Sequence, residues 1–355
     1  MRRSSRSRCA SRIFNRPSER AEASNRRAAK PRKPSSSGRS CVSGETTQAG
    51  FAAIIGAPNA GKSTLVNALV GEKVSIVTQK VQTTRFPIRG VAMLGTTQIV
   101  LIDTPGVFAP RRRLDRAMVR AAWTGAQDAD VVVHVIDAAS RADVEDGQGK
   151  AGQKRSVEDD DRVIEGLKSS GRKAILALNK VDLMRRDRLL ALSQDLFGTG
   201  VYSDVFMISA DKGYGVADLK AVLAERMPKG PYFFPEDQAA DVPQRVMAAE
   251  ITREKLYLRL HKELPYASHV ETEGWQEKRD GSVRIDQIIY IERDTQKPIV
   301  LGKGGQTIKK IGELARADME DLFGCKVHLF LQVQVKPNWA DRSEHYTSIG
   351  LDFNS

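Results

Sequence analysis

The run Gly56-Ala57-Pro58-Asn59-Ala60-Gly61-Lys62-Ser63 sets two glycines, with four residues between them, ahead of a lysine and a hydroxyl. Such a loop turns its backbone N–H groups inward around a β-phosphate, Lys62 reaches the β and γ oxygens, and the Ser63 hydroxyl binds Mg²⁺. The expected phosphate contacts are Gly56, Ala57, Pro58, Asn59, Ala60, Gly61, Lys62, Ser63 and Thr64. A Cβ at Gly61 is expected to crowd the anion. The elements that must hold the loop are legible on both sides: Phe51 to Ile55 reads as a buried strand, and Ser63 to Val70 as a helix whose N-terminus faces the phosphates.

Three further motifs each follow an apolar run. Asp103-Thr104-Pro105-Gly106 follows Ile99 to Ile102; there Asp103 can hold Mg²⁺ through water and the Gly106 N–H can sense a γ-phosphate. Asn179-Lys180-Val181-Asp182 follows Ala174 to Leu178. The Asp182 carboxylate can accept from guanine N1–H and the exocyclic amine, which adenine does not present, while Asn179 braces the loop and Lys180 covers the base. This selects GTP over ATP. Ser209-Ala210, after Val205 to Ile208, aims the Ala210 N–H at guanine O6. Either Thr83 or Thr84 completes the Mg²⁺ shell, and the sequence does not choose between them.

The position after Gly106, where a Ras-type enzyme carries a water-orienting glutamine, holds Val107 and then Phe108. Neither side chain can align a water, so unaided hydrolysis is expected to be slow. The catalytic burden falls on Asn59, Lys62 and Gly106, with a monovalent cation such as K⁺ held in part by Asn59.

With 355 residues and 41% hydrophobic composition, the chain has enough apolar content for about two packed domains. No apolar stretch approaches the ~18 residues of a membrane span. Three cysteines, Cys9, Cys41 and Cys325, are too few and too scattered for a disulfide framework or a zinc site, which points to a reducing compartment. The formal net charge is +12, but residues 1–45 hold thirteen Lys/Arg against three Glu, so the remainder is nearly neutral. Residues 1–47 are expected to be a disordered basic arm. It reads as an organellar transit peptide, which would make the protein mitochondrial, as sequence upstream of a native start near Val42, or as an arm contacting rRNA or anionic lipid.

Residues 48–228 alternate apolar strands with helical patterns near 115–127, 157–169, 186–197 and 215–227, the βα order of a doubly wound, mostly parallel sheet. Residues 140–161 read as an exposed inserted loop, with Asp159-Asp160-Asp161 a solvated helix start. Pro110-Arg111-Arg112-Arg113 reads either as a contact for RNA or a partner, or as a solvated loop. A Pro-rich linker spans 229–243. Residues 244–340 read as helix (Gln244 to Leu264), two strands, the loop Gly302-Lys303-Gly304-Gly305, a helix and a last strand, and 341–355 as a C-terminal tail.

Taken in order, GAPNAGKSTLVNAL, VQTTR, DTPG followed by Val, NKVD, ISA and the C-terminal GKGG resemble the Era family of GTPases over residues 50 to 340. The resemblance implies a P-loop NTPase domain followed by a small α+β type II KH domain. It implies GTP/GDP and Mg²⁺ as ligands and a role in assembly of the 30S ribosomal subunit. The KH domain would grip single-stranded RNA near the 3′ end of small-subunit, 16S-type rRNA through Gly302, Lys303, Gly304 and Gly305, with Lys309 and Lys310 at phosphates. It further implies a cytoplasmic protein with peripheral contact at the inner membrane; DNA is not an expected partner, and a monomer is expected. Two other readings stand beside this one: an RNA-binding scaffold in which GTP is a structural ligand, and a tRNA-modification GTPase. Against the latter, no catalytic cysteine stands near the C-terminus, since Cys325 precedes a strand.

Overall fold

A computed structural model describes residues 47–353 apart from 262 and 349, so the expectations for the basic arm fall almost wholly outside the described residues. The chain runs β1 (Gln48–Ile55), α1 (Lys62–Val70), β2 (Ile88–Leu94), β3 (Thr97–Asp103), α2 (Arg113–Asp128), β4 (Val131–Asp137), α3 (Ala138–Glu145), α4 (Ala151–Ser170), β5 (Ala174–Asn179), α5 (Arg186–Phe197), β6 (Tyr202–Met207) and α6 (Val216–Glu225). It continues through α7 (Gln244–Arg259), β7 (Ser268–Glu277), β8 (Val283–Ile291), α8 (Lys297–Leu301), α9 (Gln306–Phe323), β9 (Val327–Val335) and α10 (Ser343–Ser348).

The first sheet has the order β2-β3-β1-β4-β5-β6, parallel except for the β2–β3 hairpin. β1, β3, β4 and β5 are almost entirely buried, which accounts for their near-continuous apolar runs. Because β3 lies on one side of β1 and β4 on the other, the chain reverses its direction of travel across the sheet at β1. The phosphate loop therefore opens at a topological switch point, beside the carboxyl ends of β3 and β5.

Residues 140–161 correct the expectation of a loop, because α3 and the first half of α4 occupy them. α4 packs on the sheet through Val163, Ile164 and Leu167. Its Gly166, costly inside a helix, lies where a Cβ would stand 2.3 Å from the Trp123 ring of α2. Asp159 to Asp161 therefore lie in mid-helix, and Asp160 is buried.

The second sheet, β7-β8-β9, pairs β7 with β8 antiparallel and β8 with β9 parallel, and α8 and α9 enter between those last two strands. α7 ends at Arg259 rather than Leu264. It is buried on every side from Met247 to Tyr257, because it lies between the two sheets' domains. One apolar cluster runs without a break from Leu65 and Ile88 through Met247 and Ile251 to Ile285, Met319 and Phe323. The Pro-rich segment 229–243 is pinned to the first sheet: the Phe233 and Phe234 N–H groups donate to Gln98 Oε1 at 2.9 and 3.0 Å, and Asp241 N–H to the Arg89 carbonyl at 2.9 Å. Cys325 packs against the shared core.

The expected tail is a folded element. Tyr346 of α10 is 1% exposed in the shared core and donates its hydroxyl to the Ala340 carbonyl at 2.6 Å. Phe353 meets Tyr346 edge to face, and the Arg113 guanidinium of α2 lies over the Phe353 ring. Tyr346→Ala is expected to cost about 3 kcal/mol and Tyr346→Phe about 1, as cavity formation outweighs one hydrogen bond. Urea unfolding midpoints of the two variants check this; equal midpoints would remove the tail from the core.

Candidate nucleotide site

The phosphate loop folds as its glycines require. Gly56 has φ 148° and Gly61 φ 96°, and Asn59 between them is left-handed at φ 65°. A Cβ at Gly61 would stand 2.2 Å from Asn179 Nδ2, so a neighbouring side chain by itself already demands the glycine. Gly106 is equally tight, a Cβ there falling 2.8 Å from Pro58 Cγ.

Asn179 is the brace the sequence suggested. Its amide donates to the Ala60 carbonyl at 2.8 Å, while its Oδ1 accepts the Ala210 N–H at 3.0 Å. The Ala210 N–H, expected at guanine O6, is thus directed at Asn179. Lys180, itself left-handed at φ 63°, reaches back to the Asn59 carbonyl at 3.0 Å and to Asp137 Oδ2 at 2.6 Å. Asp182 is exposed on the short 3₁₀ turn Val181–Leu183, and Ser209 is buried, its N–H donated to the Tyr214 carbonyl.

Lys62 is buried and donates to the Gly56 and Ala57 carbonyls at 3.1 and 2.8 Å. Burial holds its ammonium down to about 8, against the opposing pull of Asp103 and Asp160. Ser63, Thr84 and Asp103 converge: Ser63 Oγ donates to Asp103 Oδ2 at 2.7 Å and lies 2.9 Å from Thr84 Oγ1. Burial pushes the Asp103 carboxyl up, partly offset by the Ser63 hydrogen bond and the Lys62 charge. Asp103 Oδ1 is buried without a hydrogen-bond partner among the described residues, an orphan acceptor that a hard cation and its waters would satisfy. Thr83 is turned elsewhere, bonded to Thr78 Oγ1 and the Lys80 carbonyl, each at 2.7 Å. The geometry thus separates the two threonines that the sequence left equivalent.

Thr64 lines a cleft of about 780 Å³ together with Pro58, Asn59, Lys62, Ser63, Thr84 and Gly106. Thr104 is spent on structure, its hydroxyl donating to the Ile54 carbonyl at 2.7 Å, and Pro105 leads from it into the Gly106 turn. Val107 and Phe108 are buried, and the Val107 N–H is held by the Gly56 carbonyl at 3.1 Å. No water-orienting side chain stands there.

Sequence reasoning missed three supports. Asp160 Oδ1 accepts the Ala57 N–H at 3.3 Å and lies 3.6 Å from His134 Nε2, while His134 Nδ1 meets the Tyr202 hydroxyl at 2.8 Å. Only the interruption of the β4 apolar run by His134 signalled this chain. Asn59 Nδ2 donates to the Gln79 carbonyl at 2.9 Å, tying the phosphate loop to the segment 73–85. That segment is in turn clasped by the second domain. Arg85, 4% exposed, donates to the Ser268 carbonyl at 2.9 Å and the Tyr257 hydroxyl at 3.1 Å, with its guanidinium over the Trp339 ring. Arg253 donates to the Thr83 carbonyl at 2.6 Å, Lys80 reaches the Tyr257 and Leu260 carbonyls, and Glu254 takes both Lys73 Nζ at 2.8 Å and the Val77 N–H at 2.9 Å.

In the second domain, Gly302, Lys303, Gly304 and Gly305 form a turn in which all three glycines have positive φ, from 59 to 77°. A Cβ at Gly302 would stand 2.1 Å from Thr307 Oγ1. Lys303 and Lys309 are exposed, whereas Lys310 pairs with Glu313 at 3.1 Å.

Comparison with known proteins agrees with this architecture. Residues 51–180 match the family model described as 50S ribosome-binding GTPase, and residues 263–340 match the KH domain model. The chain is 65% identical over 305 residues to GTPase Era of Maricaulis maris, covering 86% of this chain and 97% of that protein. It is 62% identical over 312 residues to GTPase Era of Caulobacter vibrioides, covering 87% and 98%. Among solved structures it resembles Era in complex with MgGDPNP and nucleotides 1506–1542 of 16S ribosomal RNA, and a point variant of Aquifex aeolicus Era bound to GDP·AlF4⁻. Each has a TM-score of 0.77, 32% identity, and coverage of 86% of this chain and 99% of the other. A P-loop GTPase domain followed by a KH domain, at such identity over most of the chain, makes this protein a member of the Era family of GTPases.

Proposed function

We propose that this GTPase is a GTP-dependent switch in 30S subunit assembly that reads the 3′ region of 16S-type rRNA through its KH domain. The observation carrying this reading is the double attachment of residues 73–85, to the nucleotide site through Thr84 and Asn59 and to the KH side through Arg85, Arg253 and Glu254. The relative solved with MgGDPNP and 16S rRNA nucleotides supports the same ligands here. Peripheral membrane contact and a cytoplasmic monomer are part of the proposal; no described helix is long and apolar enough to cross a membrane.

In this reading the loop from Gly56 to Thr64 wraps the phosphates, Lys62 neutralises the β and γ oxygens, and Gly106 senses the γ-phosphate. Asn179, Lys180, Asp182, Ser209 and Ala210 frame the guanine. Ser63, Thr84 and Asp103 hold Mg²⁺, with Thr83 an anchor for the segment; the ion supplies charge neutralisation at the transferred phosphoryl group. Gly302 to Gly305, with Lys303 and Lys309, clamp the RNA backbone, and Lys310 is drawn toward Glu313. Asp182→Ala is expected to weaken GTP binding about 100-fold, the loss of two hydrogen bonds to a charged acceptor at about 1.5 kcal/mol each. Inosine triphosphate, which lacks the exocyclic amine, should lose less. Calorimetric titration of both nucleotides measures the difference, and an unchanged GTP affinity would reject the assignment.

With Val107 buried at the glutamine position, turnover depends on a monovalent cation near Asn59. Steady-state phosphate release should be faster in K⁺ than in Na⁺ and should fall in Asn59→Ala. Equal rates in both salts together with wild-type turnover in the variant would sink the cation reading, and negligible turnover under every condition would favour the scaffold.

Coupling through residues 73–85 predicts that the affinity for a 3′-end RNA oligonucleotide differs between GTP-analogue, GDP and nucleotide-free protein. Arg85→Ala should flatten that difference, since it severs the segment from Ser268 and Trp339. Three identical affinities in the wild type would refute the switch.

A further inference from the structure

The segment that follows Gly106 carries a charge pattern that the nucleotide site does not use. Four of the six residues from Arg111 to Arg116 are arginine, and Arg111, Arg112, Arg113 and Arg116 are exposed. Among the described residues none of the four has an ion-pair partner within 4.0 Å. The single acid in the run, Asp115, faces inward on its own helix start, accepting the Arg111 and Arg112 N–H groups at 3.0 Å. Cations in the first turn oppose the helix macrodipole, so these side chains do not serve the stability of α2. Arg113 lies over the Phe353 ring at 4.5 Å and Arg116 is close enough to Tyr346 to act on it electrostatically, whereas Arg111 and Arg112 have no such intramolecular contact among the described residues.

The patch also lacks what a protein partner needs. No large hydrophobic residue between Leu94 and Leu183 is exposed, so the arginine segment itself offers no apolar anchor for a protein interface or for insertion into lipid. It offers planar guanidinium forks, the group best matched to bidentate recognition of phosphate. We propose that Arg111, Arg112 and Arg116 form a second RNA-contact surface, which takes the phosphate backbone of folded small-subunit rRNA while the KH loop takes the single-stranded 3′ end. This rests on the RNA reading above and extends it to the GTPase domain. The arginines begin five residues after Gly106, and the Val107 N–H is tied to the phosphate-loop carbonyl of Gly56, so the patch follows directly on a segment attached to the phosphate loop.

The test compares wild type with the triple variant Arg111→Gln, Arg112→Gln, Arg116→Gln, both in the presence of a GTP analogue, over a range of KCl concentrations. Four probes are used: the 30S subunit, naked 16S rRNA, a short oligonucleotide of the rRNA 3′ end, and anionic phospholipid vesicles. For 30S and 16S rRNA, the slope of log affinity against log salt should become shallower by about 2 in the variant, roughly 0.7 to 0.9 for each phosphate that is no longer neutralised. Affinity for the short oligonucleotide, the melting temperature and intrinsic GTP turnover should be unchanged. An unchanged slope overturns the proposal, as does weakened binding to the 30S subunit but not to naked 16S rRNA, which would mean a protein occupant. Retained rRNA binding with abolished binding to anionic phospholipid vesicles would assign the patch to a membrane and overturn it likewise. Failure of the wild type to bind the short oligonucleotide is a separate result: it removes the KH reading, while a wild-type slope on 16S rRNA that falls in the variant still supports the patch.

Discussion

A charge taken out of water must find partners, and in this protein that requirement joins the two domains. Arg85 leaves the GTPase domain just before β2 and is buried in the other domain, where its donors meet carbonyls and a tyrosine hydroxyl and its planar face meets two aromatic rings. Burial lowers its pKa, so the surrounding acceptors must hold the charge in place. The same constraint shapes α7. Its charged face cannot turn to water because the segment 73–85 covers it, and so Glu254 is met by Lys73 and Lys255, and Arg253 by Glu250 and the Thr83 carbonyl. Removing one partner from such a network strands the other, which makes the junction an all-or-none element suited to a switch.

The nucleotide site obeys a related rule on a smaller scale. A loop that presents its N–H groups to an anion cannot wholly satisfy itself: Lys62 takes the Gly56 and Ala57 carbonyls from within, and the rest is held from outside. Asn179 takes the Ala60 carbonyl, Lys180 the Asn59 carbonyl, and Asp160 the Ala57 N–H. Each support comes from a strand end or helix on the far side of the switch point, so the loop is rigid only when the whole sheet is assembled. The orphan oxygen of Asp103 is the complementary case: one polar atom left unsatisfied by protein, in the position where a cation is useful.

The amino-acid sequence by itself determined the sheet of the GTPase domain, the order of its motifs and the identity of the nucleotide. These depend on local patterns: buried strands are continuous apolar runs, and the glycines and acids at their ends have few alternative uses. It also determined the KH elements, because Val327 to Val335 alternate with strand period and the helix before them keeps helical spacing. It did not determine what lies between patterns. Residues 140–161 read as a loop because their polar, glycine-containing composition hides two helices, and Asp160 read as solvated because burial of a carboxylate is decided by a partner 103 residues away.

Only the tertiary structure decided which threonine meets Ser63 and Asp103, why Gly61 admits no side chain, and that the C-terminal segment is core. In each case the deciding atom belongs to a residue distant in sequence: Asp103 Oδ2, Asn179 Nδ2, or the cluster around Tyr346. The physical reason is range. Propensity and hydrophobic period act over a few residues, whereas hydrogen bonds to buried groups and the packing of shared cores are settled only when the chain has brought remote segments within a few ångströms.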